Sequence, residues 1–83
     1  MKLLYFAWMR GKIGCGEESV PLPEGVDNVG QLISWLQGRG PGYADAFARP
    51  GLIRCAVNQN YANAVATVTD ADEVAFFPPI TGG

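Results

Sequence analysis

The sequence predicts a small α+β roll in which four or five strands pack around one main helix. The chain has 83 residues, 48% hydrophobic and 17% charged, so it is expected to form one globular domain with a single modest core. Only one segment has clear helical periodicity, and extended segments flank it in the order strand, strand, helix, strand, strand, strand. One short helix covers only one face of a sheet, which favours the roll.

The N-terminal part is predicted to form two strands joined by a long loop. Residues 2–9 are dense in aliphatic and aromatic side chains, and an extended backbone would place three of them on one face: Leu4, Phe6 and Trp8. Three glycines then interrupt the chain: Gly11, Gly14 and Gly16. Residues 17–22 form a weaker strand, and Pro21 suits a sheet edge because proline donates no ladder hydrogen bond.

The main helix is predicted from its apolar spacing of i, i+3, i+4 and i+7, which aligns Val29, Leu32, Ile33 and Leu36. Asn28 is a natural N-cap, and Gln31 three residues later can complete a capping box. Gly38 and the pair Gly40-Pro41 end the helix. Gly30 weakens its first turn, so the helix is expected to depend on docking to the sheet.

The second half is predicted to contain three strands, over residues 52–57, 61–68 and 73–77. The middle strand is expected to be short or irregular. Asn58-Gln59-Asn60 and Asp70-Ala71-Asp72 have turn chemistry, and Pro78-Pro79 ends the last strand. Before these strands, residues 42–51 form a loop or a short helical turn whose aromatic side chains cover the core.

Composition excludes several functional classes. The formal charge of −2 and scattered basic residues argue against nucleic-acid binding, and as a whole an acidic chain prefers basic partners. No long apolar stretch or signal peptide is present, so a soluble, cytoplasmic protein without membrane contact is expected. Histidine is absent, and Cys15 and Cys55 belong to no CxxC pair, which argues against a metal site or a histidine-activated nucleophile.

The C-terminal tail, residues 78–83, is the unusual feature. Its six residues can extend to about 20 Å, with prolines that favour an extended stalk and a flexible glycine tip. A terminal glycine presents its carboxylate without a side chain, so it can enter a narrow channel. The carboxylate is a poor electrophile until ATP converts it to an acyl-adenylate, after which sulfur gives a thiocarboxylate and an amine gives an amide. On composition alone, however, Gly82-Gly83 is equally compatible with an inert chain end.

Residues 73–83, Glu-Val-Ala-Phe-Phe-Pro-Pro-Ile-Thr-Gly-Gly, resemble the C-terminal signature of the small subunit of molybdopterin synthase, the MoaD-type sulfur carriers. Residues 4–10 and 56–59 are similar to two further stretches of that family. The resemblance implies a ubiquitin-like β-grasp fold with a mixed sheet on one main helix. We therefore divide the chain into a β-grasp domain over 1–77 and a flexible tail over 78–83.

The resemblance also implies a mechanism. An E1-like adenylyltransferase would adenylate Gly83 with ATP, and sulfuration would follow, while Gly82 provides clearance. The thiocarboxylate would then enter the large subunit of the synthase and deliver sulfur to cyclic pyranopterin monophosphate. It implies a heterotetramer with the large subunit, no cofactor bound to this chain, and a catalytic pocket on the partner.

Several residues match the family's partner-binding positions. The apolar docking residues are Phe6, Tyr61 and Phe77, and the stalk residues are Pro78, Pro79, Ile80 and Thr81. Adjacent strand residues face opposite sides, so one of Phe76 and Phe77 is expected in the core and the other at the surface for a partner, and the alternative is that loops bury both. Arg10 matches a basic position that pairs with an acidic partner residue, or it is simply a solvated arginine.

Other positions carry no family assignment. Ala71 occupies the centre of the last turn, where glycine is common in the family. Alanine rarely adopts a positive φ, so a left-handed backbone conformation at this turn is in doubt. Trp35 is expected on a half-buried helix flank, Cys55 in the core and Cys15 in an exposed loop. Trp8 matches no motif. Three other functions stay open: a sulfur carrier for the thiazole of thiamine, a ubiquitin-like modifier, and an interaction domain with an inert tail.

Overall fold

The computed structural model describes residues 1–79 and contains a five-stranded sheet with three helices and one 3-10 turn. The strands are β1 (Lys2–Tyr5), β2 (Glu17–Ser19), β3 (Arg54–Val57), β4 (Asn60–Ala62) and β5 (Glu73–Phe77). The helices are α1 (Trp8–Ile13), α2 (Val29–Gln37) and α3 (Pro41–Ala46), and the 3-10 turn spans Pro50–Leu52.

The strand order is β2-β1-β5-β3-β4, with β1 and β5 parallel and the other neighbours antiparallel. The first and last strands are therefore central neighbours. Tyr5 lies opposite Phe76, and on the other side of β5 Arg54 lies opposite Phe77. This pairing brings the ends of β1 and β5 and the start of β3 to one end of the sheet.

The first strand is shorter than the sequence predicts. It stops at Tyr5 because Ala7 has a φ of 55°, which is incompatible with an extended strand. The expected loop is instead helix α1, which buries Met9 and is closed by Gly14 in the left-handed conformation at φ 98°. The prediction of a strand reaching Met9 was therefore wrong, and Gly14 acts as a helix cap.

Helix α2 begins at Val29 as predicted, with Asn28 as its N-cap. The Asn28 Oδ1 accepts from the Gln31 N–H at 2.9 Å. The Gln31 side chain completes a box one residue earlier than expected, since its Oε1 accepts from the Asp27 N–H at 2.6 Å. The sequence thus predicted the N-cap residue correctly. It was wrong only about which backbone N–H donates to the Gln31 side chain.

The remaining strands and turns differ mainly in length from prediction. β2 ends at Ser19, and β4 ends at Ala62, after which a single bridge joins Asn28 and Thr67. Asn58 and Gln59 both have positive φ, the conformation of a tight type I′ hairpin. Ala71 does not have a positive φ, so its turn closes without the left-handed backbone conformation that glycine favours.

The core lies between the sheet and the helices. Its largest fully buried side chains are Leu3, Tyr5, Met9, Val29, Leu32, Leu36, Phe47, Val74 and Phe76. Phe47 and Phe76 meet edge to face at 5.0 Å, and Cys55 is buried beside them in the same cluster, as expected. Over residues 1–79, no helix is long and apolar enough to cross a membrane.

Candidate functional site

The candidate site is the end of the sheet at which β5 leads into the C-terminal tail, which we call the tail end. The Phe6 N–H donates to the Phe76 carbonyl at 3.1 Å, so the chain leaving β1 lies directly beside β5. Pro78 and Pro79 are half-buried where they leave the sheet. Four predicted site residues lie outside the described residues: Ile80, Thr81, Gly82 and Gly83.

Phe76 and Phe77 point to opposite faces of the sheet, as the strand period predicts. Phe76 is fully buried and stacks at 6.3 Å on Tyr5. Phe77 is half-buried on the open face, where its ring lies 6.0 Å from that of Tyr61. The aromatic pair lines a groove of about 420 Å³ together with Arg54, Ala62 and Pro79. Phe77 is therefore available at the surface of the described fold.

Large exposed apolar side chains concentrate at this end. Phe6 is 45% exposed and lies beside the exit of β5, and Tyr61 is 83% exposed. Two more residues were not predicted for the site, Trp8 at 44% and Leu52 at 49%. Together with Arg49 they line a second groove, of about 320 Å³, against α3. Trp8 was missed because the sequence placed it in a strand instead of the first turn of α1.

The arginines at the tail end lack acidic partners within residues 1–79. Arg10 is exposed, and its guanidinium lies so close over Gly16 that a Cβ there would collide with it. Arg49 and Arg54 are also exposed. Neither residue belongs to a sequence motif that indicates a site. Strand alternation gives a partial signal for Arg54, since it follows the buried Ile53.

A polar cluster beneath α3 serves the fold. Glu18 accepts from the Tyr5 and Tyr43 hydroxyls at 2.8 and 2.6 Å and pairs with Arg39 at 2.9 Å. Burial opposes ionisation of Glu18, but the hydrogen bonds from Tyr43, Tyr5 and Arg39 prevail and lower its pKa. Burial and the bond to Glu18 raise the pKa of Tyr43 to about 12. The cluster joins β2 to the helical layer.

The two cysteines are thiols at neutral pH. Burial raises the pKa of Cys55 to about 11. Cys15 is half-buried rather than exposed, and burial, with the charge of Glu18, raises its pKa also. A thiol with a raised pKa is a poor nucleophile, so neither residue is suited to attack on a carbonyl. Residues 1–79 contain no group of three histidine, cysteine or carboxylate side chains arranged to hold a metal ion.

Comparison with known proteins gives a consistent family. The model of the ThiS family matches residues 3–83. The molybdopterin synthase sulfur carrier subunit of Escherichia coli is 34% identical over 83 residues, covering 100% of this chain and 99% of that protein. The subunit of the same name from Mycobacterium tuberculosis is 37% identical over 86 residues, covering 100% and 96%.

Two solved structures share the fold over nearly the whole chain. SAMP1 from Haloferax volcanii has a TM-score of 0.77 at 26% identity, covering 100% of this chain and 98% of that one. A putative molybdopterin converting factor, subunit 1, from Pyrococcus furiosus has a TM-score of 0.75 at 31% identity, covering 95% of each chain. The mixed sheet on its main helix is thus the β-grasp fold that the sequence resemblance implies.

Proposed function

The chain belongs to the ThiS family, and from that premise we propose that it is the sulfur-carrier subunit of a molybdopterin synthase. Relatives of this name align over 99% and 96% of their length, at 34% and 37% identity. The observation that carries the proposal is the exit of β5. Its last residue, Phe77, leads through two prolines toward a terminal Gly-Gly, amid aromatic side chains that the fold leaves exposed.

The chemistry resides in the Gly83 carboxylate. A chain-terminal carboxylate is ionised at neutral pH, and its carbonyl carbon is a poor electrophile. An E1-like enzyme would use ATP to form the acyl-adenylate and release pyrophosphate. Attack by hydrosulfide then displaces AMP and leaves a thiocarboxylate. If the donor is a persulfide, the attack gives an acyl disulfide, and a second thiol cleaves its S–S bond to leave the same thiocarboxylate and a donor disulfide. Gly82 keeps the approach to the acyl group free of side chains.

The fold provides a docking surface for the partner and sets the point at which the tail leaves the domain. Phe6, Tyr61 and Phe77 form an aromatic surface for the large subunit, beside the point where the tail leaves the sheet. Pro78 and Pro79 start the stalk, and Ile80 and Thr81 continue it toward the partner's pocket. Arg10 pairs with an acidic residue of the partner. Two copies of this chain on a dimer of large subunits make the proposed heterotetramer.

Intact mass measurement of the protein purified from cells tests the carrier function. A fraction heavier by the difference between a sulfur and an oxygen atom is expected, and it should disappear when the activating enzyme is absent. Deleting Gly83 should abolish both this fraction and pterin sulfuration. If sulfuration survived the deletion, the carrier function would be wrong.

Charge placed on the aromatic surface tests the docking role. Phe77→Asp should weaken binding to the large subunit at least tenfold, because it puts a carboxylate in the centre of an apolar contact. Val65→Asp is the matched control, since Val65 is an exposed aliphatic residue outside that surface, at 77% exposure. Equal affinity of the Phe77 variant and wild type would remove Phe77 from the interface.

A ubiquitin-like modifier is the second candidate, favoured by the structural likeness to SAMP1, the small archaeal modifier protein 1 of Haloferax volcanii. Both functions begin with the same adenylation, so the acceptor separates them: sulfur for a carrier, a lysine amine for a modifier. Tryptic peptides from cells that bear a C-terminal remnant of this chain on lysine would establish the modifier function. The sulfur-carrier function remains our choice because the identity to proteins of that name is higher.

A further inference from the structure

The charges of this chain are sorted between its two ends. Three of the six basic side chains form ion pairs within the fold: Lys2 with Glu17, Lys12 with Asp45, and Arg39 with Glu18. The other three have no acidic partner within residues 1–79, and all are exposed: Arg10, Arg49 and Arg54.

The three unpaired arginines surround the tail end. Arg54 lies opposite Phe77 on the open face of the sheet. Arg49 lines the groove of Trp8 and Leu52 on the helical side. Arg10 lies on α1, two residues beyond Trp8, and lines a hollow with Ala7 and Gly16. Positive charge therefore lies on the open face of this end, at Arg54, and on its helical side, at Arg49.

The carboxylates outside ion pairs with side chains lie at the opposite end, which we call the far end. They are Glu24, Asp27, Asp70, Asp72 and Glu73. Glu73 opens β5 opposite Lys2, and the Asp72 carbonyl accepts from the Lys2 N–H at 3.0 Å. Asp70 Oδ1 accepts from the Leu22 N–H at 2.7 Å, which places the segment after β2 there as well. The negative net charge thus belongs to the far end.

We propose that the tail end docks on a protein whose tail-receiving opening is rimmed by carboxylates, with Arg49 and Arg54 contacting that rim. This inference rests on the proposed function only in requiring that a partner takes up the tail. The arginines lie outside the aromatic centre formed by Phe6, Tyr61 and Phe77, which is where the charged rim of a protein interface is found. The net charge of the whole chain is negative and by itself favours a basic partner. The surface at the tail end, however, carries the exposed arginines.

Two other occupants fit the charges less well. Nucleic acid is bound by a dense basic surface, whereas here three arginines surround large apolar side chains. A second copy offering its far end would form a head-to-tail contact, which builds rings or open filaments instead of a two-fold dimer. Asp70 and Asp72 are also already engaged by backbone N–H groups, those of Leu22 and Thr69 respectively.

The association rate with the purified large subunit of the same organism, followed across a salt series, tests the proposal. Rim charges act mainly on association and are screened by salt. Arg49→Glu and Arg54→Glu should each slow association about three- to tenfold at low salt, with the difference shrinking at high salt. Lys2→Glu is the matched control, because it makes the same charge change at the far end, where Lys2 is exposed. It should alter the rate less than twofold.

The outcomes are distinct. Unchanged or faster association of the arginine variants, or equal slowing in all three variants, would overturn the acidic rim. So would a fluorescent single-stranded RNA bound tightly by wild type and released by Arg54→Glu, or self-association at low salt lost in that variant. Thermal melts of the two arginine variants should match wild type because both side chains are exposed and have no acidic partner within residues 1–79. Lys2→Glu also loses the ion pair with Glu17, so it should melt slightly lower while staying folded. A wild type that never acquires a thiocarboxylate, while its binding still depends on Arg49 and Arg54, would overturn the proposed function alone.

Discussion

The two ends of this molecule use their polar groups differently. At the far end, Asp72 accepts from the Thr69 N–H at 2.7 Å and from the Asn58 side chain at 2.9 Å. Asp70 accepts from the Leu22 N–H and lies 3.5 Å from the N-terminal ammonium. These contacts, led by the Asn58 bond for Asp72 and the Leu22 N–H for Asp70, lower the pKa of both carboxyls. The carboxylates of the far end therefore act within the fold, where Asp72 closes its own turn and Asp70 binds the segment after β2.

At the tail end, by contrast, charged and apolar side chains stay exposed at the surface. Arg49, Arg54 and Arg10 have no acidic partner in the described part of the chain, and Phe6, Trp8 and other apolar side chains stay exposed beside them. Large apolar groups clustered on one surface are typical of contact sites. The contrast teaches that the far end completes the fold, whereas the tail end is available to another molecule.

The largest expected effect comes from the two adjacent phenylalanines. Phe76→Ala should destabilise the protein by about 3–5 kcal/mol, because it empties a fully buried site. Phe77→Ala should cost less than about 1 kcal/mol, since its ring lies on the open face. Urea unfolding of both variants measures the difference. Equal losses would show that the tail end belongs to the core packing and would remove the contrast.

The helices that support the tail end give the next effect. Gly42 in α3 lies so close to α1 that a Cβ would collide with the Lys12 carbonyl, so Gly42→Ala should cost about 1–3 kcal/mol. Gly11→Ala is the matched control in α1, where the Cβ meets open space, and it should stabilise by about 0.5–1 kcal/mol. Thermal unfolding measures whether each variant is less or more stable than wild type. A harmless Gly42→Ala would mean that α1 and α3 are not tightly packed.

Replacing Glu18 tests the cluster between the two ends. Glu18→Gln removes the charge facing Arg39 and one hydrogen-bond acceptor, and should cost about 1–3 kcal/mol at neutral pH. The folded-state pKa of Glu18 is lowered, so this stability is present above the ordinary glutamate value of about 4.3 and is lost as pH falls through the lower folded value. The difference between wild type and variant should therefore shrink in acid. A constant difference down to strongly acidic pH would contradict this.

The smallest expected effect on stability distinguishes a charged residue of the far end, Asp72, from one of the tail end, Arg54. Asp72→Asn should destabilise by less than about 1 kcal/mol after solvent screening, because the carboxylate closes a surface turn. Arg54→Gln should stay within about 0.5 kcal/mol of wild type. The Asp72 contribution is present above the ordinary aspartate pKa and fades as pH falls below it, since its folded pKa is lowered. Chemical denaturation at neutral and acidic pH compares them; a larger loss in the arginine variant would reverse the contrast.

Local signals were reliable where the structure is local. The Asn28 cap, the apolar stripe of α2 and the last strand at Glu73–Phe77 all follow from neighbours a few residues apart. The glycines after residue 10 were misread because a glycine that ends a helix and a glycine in a loop look alike in sequence. The short α1 has no long apolar period to reveal it, and its position follows from the break at Ala7 and the burial of Met9.

The sequence by itself determined the family, the main helix, the last strand and the chemical identity of the tail, because these follow from contiguous residues. Only the tertiary structure decided which groups surround the tail. Parallel pairing of β1 with β5 places Phe6 beside the exit, and antiparallel pairing of β3 adds Arg54. Such neighbours come from opposite ends of the chain, and no local period encodes them. For the same reason, the net charge hid a tail end that is basic, since a sum over the sequence holds no information on where each charge lies.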